Sequence, residues 1–360
     1  LRHIMSKKPQ NSLLRVLGGV LVGANLVTIV LLWATVLGTY LPPDRFPRLS
    51  LLGLAFPVFL TADVVFVFVW LLCRARMVWL PLAGLLAVGG FVLDYCPLNG
   101  RGEVPDSTLC VISYNAGAVQ GAEGRDSFWS YLDRMNPDIV CVQEASPTWF
   151  DNEEAKADMK RLHFNCMGEK GVYVLSRMPL CKAGVKFQYE TKGNGSFACW
   201  ALHGQDSILV VSNHLESNRL SSADKDEYHQ IIHNPNGDVV RHEGRALAGK
   251  LARASRLRGP QVDSLCALAT DYARYPLLVC GDFNDTPISY TYQRLSKVLT
   301  SAFRQSGTGM GFSFNQDEFF VRIDHVFFSR HFESTKTLID RHIYLSDHYP
   351  IVTYLRLRSQ

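Results

Sequence analysis

Val16–Tyr40 (VLGGVLVGANLVTIVLLWATVLGTY) is 25 residues long and carries no charge. This run constrains the fold more than any other feature of the chain, because a helix of about 20 apolar residues matches the hydrocarbon core of a bilayer. Leu49–Cys73 repeats the pattern, interrupted only by Asp63, and Met77–Leu93 adds 17 more uncharged residues. A cleaved secretion signal would carry one short apolar core followed by a small-residue cleavage site. Three successive stretches predict retained membrane helices instead. Residues 1–95 are therefore read as a membrane region with about three transmembrane helices, integral to the cell membrane and partnered by the lipid bilayer. Met5 is read as the natural start.

Basic residues flanking the spans set the orientation. Lys7, Lys8 and Arg15 precede the first span, and Arg74 with Arg76 fills the turn after the second. Arg45, Arg48 and Arg101 fall on the other side. Five against three predicts a cytoplasmic N-terminus and a C-terminal domain on the non-cytoplasmic side. Asp63 is costly in lipid. It is read either as a functional group or as a structural one that faces Thr61 or a neighbouring helix.

Residues 96–107 (CPLNGRGEVPDS) hold two prolines and two glycines and read as a linker. From Thr108 onward polar and apolar residues mix as in a soluble domain, assigned to 108–360. The net charge of +4 permits an anionic partner without demanding nucleic acid. Nine cysteines without a CxxC pair do not describe a disulfide framework. Cys110, Cys141, Cys199 and Cys280 sit in strand-like runs and read as small buried hydrophobes.

Short β-branched runs predict strands at Thr108–Tyr114, Asp138–Gln143, Gly171–Ser176, Phe197–Leu202, Ile208–Ser212, Leu277–Cys280, Arg322–Phe328 and Ile351–Leu357. Helical patterns fall at Asp126–Met135, in part of Arg219–Arg258, at Gln261–Ala273 and at Ile288–Leu299, with a turn at HNPNGDVV. The expected fold is an α/β (α+β) four-layer sandwich of two mixed β-sheets flanked by helices.

Polar residues cluster immediately after these runs. Asn115 follows VISY, Glu144 follows VCVQ, His214 follows VVSN, and Asp282 with Asn284 follows LLVCG. Asp324 lies in VRIDHVFF, and Asp347 with His348 precedes PIVTYL. Each alone fits a turn or a cap. Together Asn115, Glu144 and Asp347 offer oxygen donors suited to a hard cation such as Mg2+ or Mn2+. The chain lacks HExxH, a zinc-spaced Cys/His cluster, a P-loop and GxSxG.

The segments SYNAG (113–117), VQE (142–144), GVYVLSR (171–177), SNHL (212–215), GDFND (281–285), RIDHVF (322–327) and SDHYPI (346–351) resemble the endonuclease/exonuclease/phosphatase, or DNase I-like, superfamily. They follow the family's order across the soluble part. The resemblance implies a metal site at Glu144, Asn115 and Asp347, with Glu144 the principal ligand. Asp282 would position or deprotonate the attacking water, and Asn284 would hold a phosphate oxygen. His348 would be the catalytic imidazole, oriented by Asp324, and His214 would contact the scissile phosphate. His325 stands where the family often has an aromatic residue.

The basic stretch Arg241, Arg245, Lys250, Arg253, Arg256 and Arg258 is read either as a phosphate-binding surface or as a solvated helix face. The expected activity is hydrolysis of a phosphate ester, chiefly a phosphodiester: nucleic acid, a phospholipid headgroup or a small phosphodiester. No protein partner is implied. A catalytically silent phosphate- or lipid-binding module on a membrane anchor is the alternative.

Overall fold

The computed structural model describes residues 10–100, 102–117, 119, 121–146, 148–187, 189, 194–204, 206–221, 223–224, 226–227, 237–316 and 319–358. The chain opens with helix α1 (Gln10–Gly38). A 3-10 segment (Leu49–Ala55) leads into α2 (Phe56–Cys73), whose second residue, Pro57, is compatible with the first helical turn. Arg15–Gly38 and Leu49–Cys73 are both long and apolar enough to cross a membrane. The third apolar run differs from the single helix its composition suggests. It divides into α3 (Trp79–Ala87) and α4 (Gly89–Tyr95), bent by 67°. The break falls at Val88, next to the Gly89–Gly90 pair, where helix propensity is lowest.

Asp63 is buried against α1. Asn25 Nδ2 donates to its Oδ1 at 3.2 Å and Thr28 Oγ1 donates at 2.5 Å, while Trp70 Nε1 donates to Asn25 Oδ1 at 3.0 Å. Thr61 instead bonds the Pro57 carbonyl. The aspartate therefore ties α2 to a neighbouring helix.

The rest of the chain runs β1 (Thr108–Asn115), α5 (Gly121–Met135), β2 (Ile139–Gln143), α6 (Thr148–Asp151), α7 (Glu153–Arg161), β3 (Asn165–Glu169), β4 (Val172–Ser176), β5 (Leu180–Lys182), β6 (Gly195–His203), β7 (Asp206–His214), α8 (Gly237–Asp271), β8 (Leu277–Asp282), α9 (Tyr290–Leu295), β9 (Thr300–Ser301), α10 (Ala302–Ser306), β10 (Phe314–Gln316), β11 (Phe319–Val321), β12 (Asp324–Phe328), β13 (Phe332–Ile339) and β14 (Ile351–Leu357). The helix predicted from Gln261 is continuous with the one before it, and α8 carries Pro260 internally. The turn predicted at HNPNGDVV begins outside the described residues, and its end, from Gly237, opens α8.

Two six-stranded sheets form, in the orders β13-β14-β1-β2-β4-β3 and β5-β6-β7-β8-β12-β9. Only β1 with β2 and β7 with β8 pair in parallel among the paired strands described. Strand alternation then builds the layers. Val111, Cys141, Val210 and Cys280 face the partner sheet. Their neighbours Ile112, Val140 and Val142 face Phe128 and Leu132 of α5. Leu209, Val211 and Val279 face Val262 and Leu265 of α8. The result is the expected four-layer sandwich. All nine cysteines are free, and Cys110, Cys141, Cys199 and Cys280 are buried as expected.

The membrane-type helices are packed directly onto the sandwich. Ile288 is buried with Leu32, Val36, Phe56 and Val88. Ser50 and Ser255 hydroxyls lie 2.9 Å apart. Pro97 and Asn99, within residues 96–107 read as a linker, are bound to the sandwich. Asn99 Nδ2 donates to Gly307 O at 2.7 Å, and Gly309 N donates to Pro97 O at 2.9 Å.

Candidate active site

Strand register assembles the polar residues. In the second sheet His214 of β7 stands opposite Asp282 of β8, which stands opposite Asp324 of β12. In the first sheet Asn115 at the end of β1 is level with Gln143 of β2, and Glu144 follows. Stacking the sheets brings both rows to one edge. Asn115 Nδ2 donates to Glu144 Oε1 and to Asp282 Oδ2, each at 3.0 Å.

The local backbone is shaped for this crowding. Glu144 and Asn284 adopt left-handed φ of 58° and 52°, which turn the chain sharply at the strand ends. Gly281 has φ +147°, and a Cβ there would lie 2.0 Å from the Asn213 carbonyl oxygen. A Cβ on Gly117 would lie 2.2 Å from Glu144 Oε2, so the absent side chain leaves room around that carboxylate.

His214 Nε2 lies 3.2 Å from Glu144 Oε1 and 3.8 Å from Asp282 Oδ2. On the other flank of Asp282, His348 Nε2 lies 3.8 Å from the same Oδ2. His348 Nδ1 bonds Asp324 Oδ2 at 2.8 Å. Burial pulls the His348 imidazole down, but Asp324, Asp282 and Asp347 outweigh it and raise its pKa to about 10. Burial, followed by the Asp324 charge, pushes the Asp282 carboxyl above the ordinary carboxylate range. The two imidazoles and the Asn284 N–H, which donates to Asp282 Oδ1 at 2.7 Å, oppose that rise.

Two groups of ligand atoms each lie within 4.8 Å of one another: Glu144, His214 and Asp282; and Asp282, Asp324 and His348. The donor chemistry fits a divalent cation. Three carboxylates and two imidazoles converge, the Glu144 side chain is partly exposed, and Gly117 leaves space at its second oxygen. Asp347 falls outside both groups. It is half-buried and accepts from Ser346 Oγ at 3.1 Å. Asn284 Nδ2 donates to the Leu215 carbonyl at 3.2 Å. His325 is buried, its Nε2 lies 2.9 Å from Asp285 O, and burial lowers its pKa to about 3. It substitutes as a neutral ring among Phe283, Tyr292 and Phe327.

Some partners were not visible in the sequence. Asn194 Nδ2 sits 3.5 Å from the His214 ring and donates to Leu215 O at 3.0 Å. Ser313 Oγ accepts from the Asp324 N–H at 3.1 Å. Neither lies at the end of a recognisable strand pattern. Arg258, grouped above with the basic stretch, is instead buried. It donates to Glu216 O at 2.8 Å and pairs with Asp285 at 3.4 Å. Lys250 pairs with Asp224, whereas Arg253 and Arg256 are exposed.

The sequence model of the Endonuclease/Exonuclease/phosphatase family matches residues 112–348. The chain belongs to this family, which places it among phosphoester hydrolases. A second family, described as "Domain of unknown function (DUF8431)", matches residues 18–95. Comparison with curated protein sequences finds no significant match. Among solved structures, the human Nocturnin catalytic domain with bound sulfate anion is similar at 17% identity, with a TM-score of 0.50, over 71% of this chain and 97% of that one. Zebrafish (D. rerio) TDP2 complexed with single strand DNA product is 14% identical, with a TM-score of 0.46, over 69% and 99%. An endonuclease/exonuclease/phosphatase family protein from Bacteroides thetaiotaomicron is 16% identical, with a TM-score of 0.45, over 70% and 98%. Nocturnin shares the fold.

Proposed function

We propose that this chain is a membrane-tethered, divalent-metal-dependent hydrolase of phosphate esters, with phosphodiesters as the main substrates. Residues 1–95 form the membrane region, 96–107 the connection and 108–360 the catalytic domain. One observation carries the reading. Asp282 is a buried carboxylate held between two differently equipped flanks, Asn115–Glu144–His214 on one side and His348–Asp324 on the other.

Glu144, Asn115 and Asp347 would hold Mg2+ or Mn2+, which when bound neutralises phosphate charge and the charge growing on the leaving oxygen. The remaining chemistry belongs to the chain. Asp282, with a raised pKa, accepts a proton from the attacking water and orients it. His348, held protonated by Asp324, donates to a non-bridging phosphate oxygen as negative charge accumulates there. His214 and the Asn284 amide bind the remaining oxygens. The Asp324 carboxylate accepts from His348 Nδ1 and fixes the ring plane, so the Nε2 donor is oriented before substrate arrives.

Glu144→Ala and His348→Ala test this on the full chain in detergent, with bis(p-nitrophenyl) phosphate and Mg2+ or Mn2+. Each variant is expected to lose at least 100-fold, in line with the roughly 10²–10⁴-fold contribution of a positioned acid–base group. EDTA should abolish wild-type turnover, and added Mn2+ should restore it. Full activity of either variant in excess metal, or turnover insensitive to EDTA, would refute the assignments.

A further inference from the structure

Beside the attachments to α8, α9 and α10, such as Ser50 to Ser255, two attachments between the apolar helices and the sandwich fall on loops next to the candidate site. Ile288, six residues after Asp282, plugs the top of the helix cluster formed by Leu32, Val36, Phe56 and Val88. A Cβ on Gly53 would lie 1.7 Å from the Ile288 carbonyl oxygen, so the two backbones touch. Arg322, two residues before Asp324, is buried and donates to the carbonyls of Asp94 and Tyr95 at the end of α4, and to Met310 O. Gln293 Nε2 and Arg304 Nε hold the Asp94 carboxylate at 2.9 and 3.1 Å.

Chain length bounds the distance between chemistry and helix ends. Two residues separate Asp324 from Arg322 and six separate Asp282 from Ile288, at most about 7 and 22 Å of fully extended chain. A headgroup layer is about 5–8 Å thick on each side of the hydrocarbon core.

The same edge presents an apolar rim. Leu98, Met310 and Phe320 are 78%, 45% and 53% exposed. They are linked through the 308–312 segment: Leu98 bridges Thr308, Gly309 N donates to Pro97 O, and the Phe320 ring lies tilted beside Phe312 at 6.0 Å. The rim continues directly from α4, since Leu98 lies three residues beyond Tyr95. Its other end reaches the site, where Phe314 pairs with His348 across a β-bridge and their rings lie 5.0 Å apart. Arg45 and Arg48, exposed in the segment between α1 and the 3-10 turn, add positive charge beside the same helix ends.

We propose that this rim seats on the surface of the bilayer that holds α1–α4, and that the substrate is a phosphate ester carried on a lipid of that bilayer. The inference rests on the phosphoesterase and membrane-tether readings above. A lipid headgroup reaches the Asp282–His348 edge by lateral diffusion. A rigid joint through Ile288 and Arg322 keeps that edge at headgroup height.

The test uses the full chain reconstituted with Mn2+ into phosphatidylcholine vesicles containing phosphatidic acid and phosphatidylglycerol, with products followed by ³¹P NMR. Dibutanoyl versions of the same two lipids, dissolved as monomers, and bis(p-nitrophenyl) phosphate are the soluble comparators. Vesicle lipids are expected to turn over at least tenfold faster than their dibutanoyl analogues at equal bulk concentration. The double variant Leu98→Ser with Phe320→Ser should lower the vesicle-to-soluble rate ratio at least tenfold. In Phe320→Trp, brominated phosphatidylcholine should quench fluorescence beyond that of the parent chain. Dibutanoyl analogues cleaved as fast as vesicle lipids, an unchanged rate ratio, absent extra quenching, or cleavage of the soluble diester alone would each overturn the inference and leave the phosphoesterase reading standing. If neither vesicle lipid nor soluble ester is cleaved, the phosphoesterase reading itself fails and this inference with it.

Discussion

Replacing Asp324 with asparagine removes one charge, and almost no volume, from the centre of the site. Asp324 Oδ2 is 2.8 Å from His348 Nδ1, and both side chains are buried. For His348, burial alone pulls the pKa below its ordinary 6.5, and Asp324 is the first of three carboxylates that raise it to about 10. Removing the leading carboxylate should therefore bring the midpoint down from about 10, with Asp282 and Asp347 retaining part of the rise. The sign of the linkage follows. A folded pKa above the unfolded value contributes stability that is complete below pH 6.5 and is lost as pH rises through about 10. Metal-free wild type should lose stability over that window, and Asp324→Asn should show a smaller loss at lower pH. Catalytically, an amide at this position also stops holding the ring in its protonated, oriented donor form, and a loss of about 10²–10⁴ in kcat/KM is expected, equal to about 3–5 kcal/mol. The assays are NMR titration of the His348 ring in EDTA, and pH–rate profiles on bis(p-nitrophenyl) phosphate with Mn2+. A variant whose His348 midpoint stays near 10, and whose rate stays within threefold of wild type, would refute the coupling between these two residues.

Two further outcomes follow from packing. Gly281→Ala places a Cβ 2.0 Å from the Asn213 carbonyl oxygen at φ +147°, so strain of about 1–3 kcal/mol plus a backbone shift is expected. Thermal unfolding and turnover should both suffer, and an unchanged melting temperature would contradict the close approach of β7 and β8. Ile288→Ala empties a 1% exposed side chain from the helix cluster and should cost about 2–5 kcal/mol. Limited proteolysis should then cut the connection after Tyr95 faster than in wild type; equal rates would show that the plug does not hold the two parts together.

Several features are set by local chemistry and are readable from the chain alone. An uncharged run of 25 residues, and a second of 25 broken only by Asp63, announce bilayer-length helices because only composition and length matter there. Short, continuously apolar runs mark β1, β2, β7 and β8 as strands buried on both faces, and Asn115, Glu144, His214 and Asp282 stand at or just past their ends. The order of the GDFND, RID and SDH segments then identifies the family without any distance being known.

What the tertiary structure decided are the meetings between distant residues. Asn115 touches Asp282 across 167 positions, and no local pattern encodes which sheet faces which. Arg258 looked like one more cation on a basic helix, yet burial beside Asp285 makes it a brace, since a charge is kept in the interior only when it is paired. The membrane-length runs predicted a tether, but only the packing of Ile288 and Arg322 shows that the apolar helices meet the sandwich near the candidate site. Periodicity and composition act within a segment, whereas register, burial and charge pairing between segments arise only once the layers close.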